Sequence, residues 1–272
     1  MSGPNVGDIP IYIGPEWGTT PSSGIGGVSP QTFNRFEYWG GQTNGATTLE
    51  GFLNCYLTGS STANQPQPTS ASLLKSTKRS IFTSTAAATM GIFDGTGLMT
   101  VWRGNAAGLG GFSLRLKFGF EATSSGALHN MFAGLVSQSG SGAAFNPTTQ
   151  TTLATLGVGF SQTPAPNFAG NYKIISSVGN GSTAPTVTDL GAAVPVDITS
   201  LYQLDLVAAP DAASVAYTLT NLSTGGSATG TVSTNFPAST KFLAMWCACA
   251  IGSGGSTQAQ FDVAEYCYQQ NQ

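Results

Sequence analysis

The sequence predicts an all-β protein, an antiparallel jelly-roll sandwich, on three observations. Apolar and polar residues alternate in its clearest segment: Phe112, Leu114, Leu116, Phe118 and Phe120 are interleaved with Ser113, Arg115, Lys117 and Gly119. That is the pattern of a strand with one buried face. Gly and Pro, 36 and 14 of 272 residues, punctuate the chain without a Gly-X-Y period, which favours many turns and excludes collagen. No convincing amphipathic helix lies between the strand candidates, so crossover topologies with a parallel sheet lose to two stacked antiparallel sheets.

Taken in order, residues 1–60 mix Gly and Pro with large aromatics that fall in few alternating runs. Such rings must bury against something, and so short a stretch does not make its own core. The segment is expected to be an attachment arm that docks on another domain or chain, with Tyr12, Trp17, Phe33, Phe36, Tyr38 and Trp39 as its anchoring and assembly residues. The alternative is an extension that wraps its own domain. Residues 61–90 are expected to be a linker, because GSSTANQPQPTSAS over 59–72 is small, polar and Pro-containing. A short helix is expected within it, from about Ser70 to Arg79. The sandwich then occupies 91–272. Asp94-Gly95 signals a tight turn, and strand candidates besides 112–120 fall at 98–103, 128–136, 153–160, 171–178, 201–208, 214–220, 229–233, 241–251 and 257–268.

Composition narrows the function. Charged residues make up 8% of the chain, against about 25% in an ordinary soluble domain, while 40% hydrophobic content and a net charge of −3 exclude a disordered chain. The few scattered cations make no basic surface for phosphate neutralisation, so no nucleic acid is expected as a partner. No stretch approaches the roughly 18 apolar residues of a membrane span, and the start MSGPNVGDIP lacks the basic and apolar regions of a secretion signal. Membrane insertion and conventional export are not expected. Lys75, Lys78 and Arg79 form the one tight cationic cluster and read as a solvated polar turn. Four cysteines at 55, 247, 249 and 267 lack a CxxC pair or histidine partners. Cys247 and Cys249 share a strand face with Leu243, Met245 and Ile251 and are expected as buried free thiols, a disulfide from Cys267 to either staying open.

The chain offers little for catalysis. Retaining glycoside hydrolysis needs two carboxyls about 5 Å apart, whereas Glu121 and Asp205 stand isolated on strand candidates and Asp262 and Glu265 are three apart, which places them on opposite faces of a regular strand. Asp189, Asp197 and Asp211 sit near turns, where a carboxylate accepts backbone hydrogen bonds. The single histidine, His129, has no nucleophile elbow to serve. GIGG and GSGG lack the context of a phosphate loop, and no acidic cluster suits a metal. No enzyme activity, cofactor or metal is expected. For sugar binding, an aromatic ring flanked by short polar groups is the chemistry to seek. By residue type the candidates are Trp102, Arg103 and Tyr172, with the loop 138–150 as a further possibility, while Trp246 in its apolar run reads as core.

The segments DGTGLMTVWRGNAAGLGGFSLRLKFGFE, LHNMFAGLVSQ, NPTTQTTLATLGVGFSQ and NYKIISSVGNGSTAPTVTDLG resemble bacteriophage virion appendage proteins, tail fibres and head fibres, with concanavalin A-like lectin domains. The resemblance covers roughly residues 94–262. It implies a concanavalin A-like sandwich in a structural virion protein, assembled in the host cytoplasm without an export signal. By analogy it further implies a homo-oligomer, a trimer in many such fibres, with tail, neck or capsid proteins and host-surface glycan as partners. A capsid decoration protein without receptor role is the alternative, and a polysaccharide depolymerase a more remote one.

Overall fold

Alternating strands bury one face only if their backbone groups are paired on both sides, and the chain meets that need with two sheets. The computed structural model describes residues 33–39, 56–58, 61–64, 66–84, 90–94, 101–122, 128–137, 146–164, 170–253 and 259–271. These form β1 (Phe33–Trp39), β2 (Tyr56–Thr58), β3 (Ser61–Asn64), the one-turn helix α1 (Leu73–Ser76), β4 (Ser80–Ser84) and β5 (Met90–Asp94). There follow β6 (Phe112–Ala122), β7 (Leu128–Val136), β8 (Ala154–Pro164), β9 (Lys173–Val178), β10 (Thr186–Asp189), β11 (Tyr202–Ala208), β12 (Val215–Asn221), β13 (Ser227–Val232), β14 (Ala244–Ser253) and β15 (Ala259–Asn271). An eight-stranded sheet runs β13-β12-β11-β6-β15-β4-β3 with β1 also on β15, and a seven-stranded sheet runs β10-β9-β8-β7-β14-β5-β2. The fold is the antiparallel two-sheet sandwich that the alternation predicts.

The core is the space between the sheets. Phe112, Leu114, Leu116, Phe118 and Phe120 of β6 are each at most 1% exposed and pack against Leu156, Val158 and Phe160 of β8 and Met245, Cys247 and Cys249 of β14. Phe118 organises an aromatic cluster, stacked on Phe261 at 5.8 Å and on Tyr202 at 5.9 Å, with Tyr172 edge-on at 5.8 Å. The polar face of β6 points outward, except that Gly119 interrupts it for a reason of packing. A Cβ there would lie 2.5 Å from Leu74 Cδ1, so the missing side chain lets α1 seat Leu74 on the sheet beside Leu201 and Ala264.

Several elements depart from expectation. The strand expected over 98–103 reduces, among the described residues, to one bridge from Val101 to Leu243, the strand of this region being β5, which ends at Asp94. β10 has a single apolar residue in TVTD, too little for alternation to register. The helix is shorter than 70–79, capped by Ser72, whose side chain accepts from the Lys75 amide at 3.2 Å. Residues 61–90, expected as a linker, supply β3, β4 and part of β5 to the sheets. β15 explains what happens to the aromatic segment before them. It is 13 residues long, and β4 covers only Gln260–Val263, which leaves Glu265–Asn271 a bare edge that β1 pairs residue for residue. Phe33, Phe36, Tyr38 and Trp39 thus stand on a strand of the sandwich itself, opposite Asn271, Tyr268, Tyr266 and Glu265. Tyr12 and Trp17 lie outside the described residues.

Candidate functional site

Trp102 and Arg103 follow the Val101 bridge, in the loop that leads into β6. The side-chain amide of Gln270 brackets the Trp102 peptide, donating to its carbonyl and accepting from its N–H, both at 2.9 Å. The indole N–H donates to the Ser239 carbonyl, and the ring stacks on Phe242 at 5.3 Å and 26°. Phe242 is 49% exposed, so the pair presents an aromatic platform to solvent. Arg103 is committed elsewhere. Its guanidinium lies 4.6 Å over the Phe236 ring and donates to the carbonyls of Pro237 and Ala212, which makes it a strut beneath the β13–β14 loop. Burial lowers its affinity for the proton from the usual value, and Asp211 partly offsets this.

The other aromatics fall inside. Tyr172 is 0% exposed, walled in by Phe118, Phe160 and Tyr202, and burial, then the neighbouring Tyr202, hold its phenol well above the ordinary range. It offers no platform to a ligand, a correction to its candidacy: in a strand-rich sequence its type does not tell which face it takes. Trp246 is likewise 0% exposed and packs with Phe132, Val136, Ile175 and Ala248. His129 is buried against Phe120, and burial lowers its pKa. Cys247, Cys249 and Cys267 are buried thiols. The first two line the seven-stranded sheet while Cys267 stands in the eight-stranded one, so β15 does not pair with β14. Of the loop 138–150, residues 138–145 lie outside the described residues, and Asn146 folds the remainder by accepting from the Thr148 amide at 3.0 Å.

The carboxylates are arranged differently from the sequence expectation. A bulge in β15 between Val263 and Glu265 sets Asp262 opposite Gly119 and Glu265 opposite Lys117, so the two acids share the outer face instead of opposing ones. There Glu265 accepts from Lys117 at 2.6 Å and Asp205 from Arg115 at 2.8 Å. Arg79 is not solvated: it is 2% exposed, donates to Asp262 Oδ1 at 2.6 Å and reaches Glu121, which also accepts from Lys75. Burial, then the charge of Glu121, push Asp262 up to about 7 against the pull of Arg79. A raised carboxyl beside a second acid resembles a hydrolase pair, but Asp262 is 0% exposed and Arg79 contacts both acids, so a substrate does not reach it. The turn acids behave as their positions predict. Asn171 and the Gly191 amide hold Asp189 below its usual range. For Asp197, burial acts upward and hydrogen bonds from Ser200 and Thr199 outweigh it. Among the described residues no three His, Cys, Asp or Glu side chains group to hold a metal.

A groove that sequence reading did not foresee opens at one edge of the sandwich, where β9 and β10 end one sheet and β12 and β13 end the other. It encloses about 170 Å³ and is lined by Ile174, Ser176, Thr186, Thr188, Tyr217, Thr231, Val232, Ser233 and Thr234. Asn235 ties the walls together, donating to the Ala184 carbonyl at 2.7 Å and Thr186 Oγ1 at 3.1 Å and accepting from the Val178 amide at 3.3 Å. It does so from φ 46°, a left-handed conformation that Asn adopts more readily than most residues. Gly230 makes room for the Tyr217 ring, since a Cβ there would lie 2.5 Å from the phenol oxygen.

No family model and no curated protein matches the chain. Among solved structures it is similar to a protein of unknown function from Shewanella oneidensis MR-1, at 11% identity over 88% of this chain and 87% of that one, TM-score 0.53. The likeness is one of fold. Weaker similarities are to arcelin-5, a lectin-like defense protein from Phaseolus vulgaris (8% identity, 88% and 99% covered, TM-score 0.48), and to lectin II from Ulex europaeus (13%, 88% and 99%, 0.46).

Proposed function

We propose that this protein is a non-enzymatic, glycan-binding component of a bacteriophage virion, a tail fibre or similar appendage that presents its sandwich to the host surface. The observation that carries the binding half is the exposed Trp102–Phe242 stack. The Trp102 indole, pinned by the Ser239 carbonyl, backs the Phe242 ring, whose exposed face suits the apolar face of a pyranose and loses little entropy on binding. The non-enzymatic half rests on the carboxylates: among the described side chains of the outer face, Glu121, Asp205, Asp262 and Glu265 are each matched to a cation. The virion half rests on the resemblance of segments 94–262 to phage appendage proteins. In this reading the chain assembles in the host cytoplasm as a homotrimer, with Tyr12 and Trp17 before β1 engaging a neighbouring virion protein.

The binding test uses Phe242→Ala, because Phe242 is half exposed and its loss leaves the Trp102 hydrogen bonds in place. On a panel of immobilised host glycans the full-length chain should bind and this variant should bind at least about tenfold more weakly with an unchanged melting temperature. Equal binding by both chains refutes the platform. For the virion role, light scattering should give the mass of three chains, and a chain lacking residues 1–30 should fail to enter particles. That truncation spares β1, whose removal would bare the β15 edge.

A further inference from the structure

The groove at the sandwich edge, far in sequence from Trp102, presents a chemistry of its own. In β10, Thr186 and Thr188 stand opposite Ser176 and Ile174 of β9, so they occupy the face that looks between the sheets, where Ile174 is part of the core. A sandwich ordinarily fills such positions with apolar side chains. Here they carry hydroxyls, and across the gap stand Tyr217, Ser233 and Thr234. Thr186 is engaged by Asn235. Among the described residues, the hydroxyls of Ser176, Thr188 and Tyr217 have no hydrogen-bond partner. Ser176 lies deepest, at 2% exposed, on the floor of the groove, with Tyr217 half buried and Thr188 exposed toward its mouth.

The lining contains no Asp, Glu, Lys, Arg or His. The charges of this edge, Lys173 and Asp189, form a register pair one residue out of phase with Ile174 and Thr188 and therefore belong to the other face. The volume of about 170 Å³ corresponds to about six waters at the roughly 30 Å³ each takes in the liquid. A concave space with several hydroxyls that both donate and accept, one aromatic ring and no charge suits a neutral ring carrying hydroxyls of its own, which replaces that water bond for bond.

We infer that the groove between β9–β10 and β12–β13 is a second binding site, one that takes an uncharged saccharide ring through Ser176, Thr188 and Tyr217. It shares no residue with the Trp102–Phe242 platform, so either site stands if the other falls. Asn235 sets the width of the groove by holding the two sheet edges at a fixed distance.

The test titrates the full-length chain by calorimetry with maltohexaose, cellohexaose, laminarihexaose, chitohexaose and mannohexaose, and with sialyllactose and oligogalacturonate as anionic comparators. Three variants change the groove without disturbing the core: Ser176→Ala, Thr188→Val and Thr188→Trp, the last filling the space from an exposed position. At least one neutral oligosaccharide should bind, about tenfold more weakly to Ser176→Ala and to Thr188→Val. Thr188→Trp should abolish that binding, and Phe242→Ala should leave it unchanged. The inference is overturned if no neutral oligosaccharide binds, if Thr188→Trp leaves every affinity as it was, or if only the anionic ligands bind. A sugar lost in Phe242→Ala but retained in Thr188→Trp belongs to the platform and counts against the groove.

Discussion

Arg79→Met removes one partner of an ion pair whose side chains are 2% and 0% exposed. Breaking so buried a pair leaves an uncompensated charge and costs about 3–5 kcal/mol, but only where Asp262 is ionised. Burial and the neighbouring Glu121 hold that carboxyl at about 7, against 3.8 for the free group. Between about pH 4 and 7 the folded chain therefore binds a proton that the unfolded chain has released, so this group's contribution to stability falls as pH rises through the window. Removing Arg79 raises the carboxyl further. At about pH 5.5 the variant holds a neutral acid and should lose under about 2 kcal/mol, the worth of the hydrogen bonds and packing; at about pH 8.5 it should lose the full 3–5 kcal/mol. Urea denaturation followed by tryptophan fluorescence at both pH values reads the difference. An equal loss at the two, or a loss below about 1 kcal/mol at the higher, would refute the reasoning. Arg79→Met combined with Asp262→Leu should recover most of the stability.

Substitutions at two further positions probe the frame. A Cβ at Gly157 would lie 2.3 Å from the Ala133 carbonyl oxygen and 2.8 Å from Phe132 Cζ, so Gly157→Ala should cost about 1–3 kcal/mol by overpacking, seen as a lower thermal midpoint; a midpoint equal to the parent's would mean that the sheet yields there. Asn235→Ala should lose about 1–2 kcal/mol and speed hydrogen exchange at the Val178 amide, which loses its acceptor. Asn235→Gly, which relieves the φ 46° backbone but restores no side-chain bond, should recover part of the stability and none of the protection; full protection in either variant would remove Asn235 as the clamp.

Local chemistry determined a good deal from sequence alone. A strand sends successive side chains to opposite faces, so the alternation over Phe112–Phe120 announced β6 and its buried face before any partner was known, and the apolar run around Trp246 announced β14. Asp189 and Asp197 announced their turns because a short carboxylate bonds backbone amides two residues on. The tertiary structure decided whatever depended on register and partners. One bulged residue in β15 brought Asp262 and Glu265 to the same face. Arg79 looked like a surface cation until Asp262, 183 residues away, met it in the fold. β1 found its place because a long strand, β15, left an edge bare at the far end of the chain. Tyr172 and Trp102 are both aromatic residues at strand margins, and only the packing of two sheets sent one into the core and left the other under an exposed Phe242. The groove belongs to no segment at all, since its lining comes from four strands spaced along the chain and becomes a site only where two sheet edges stand apart.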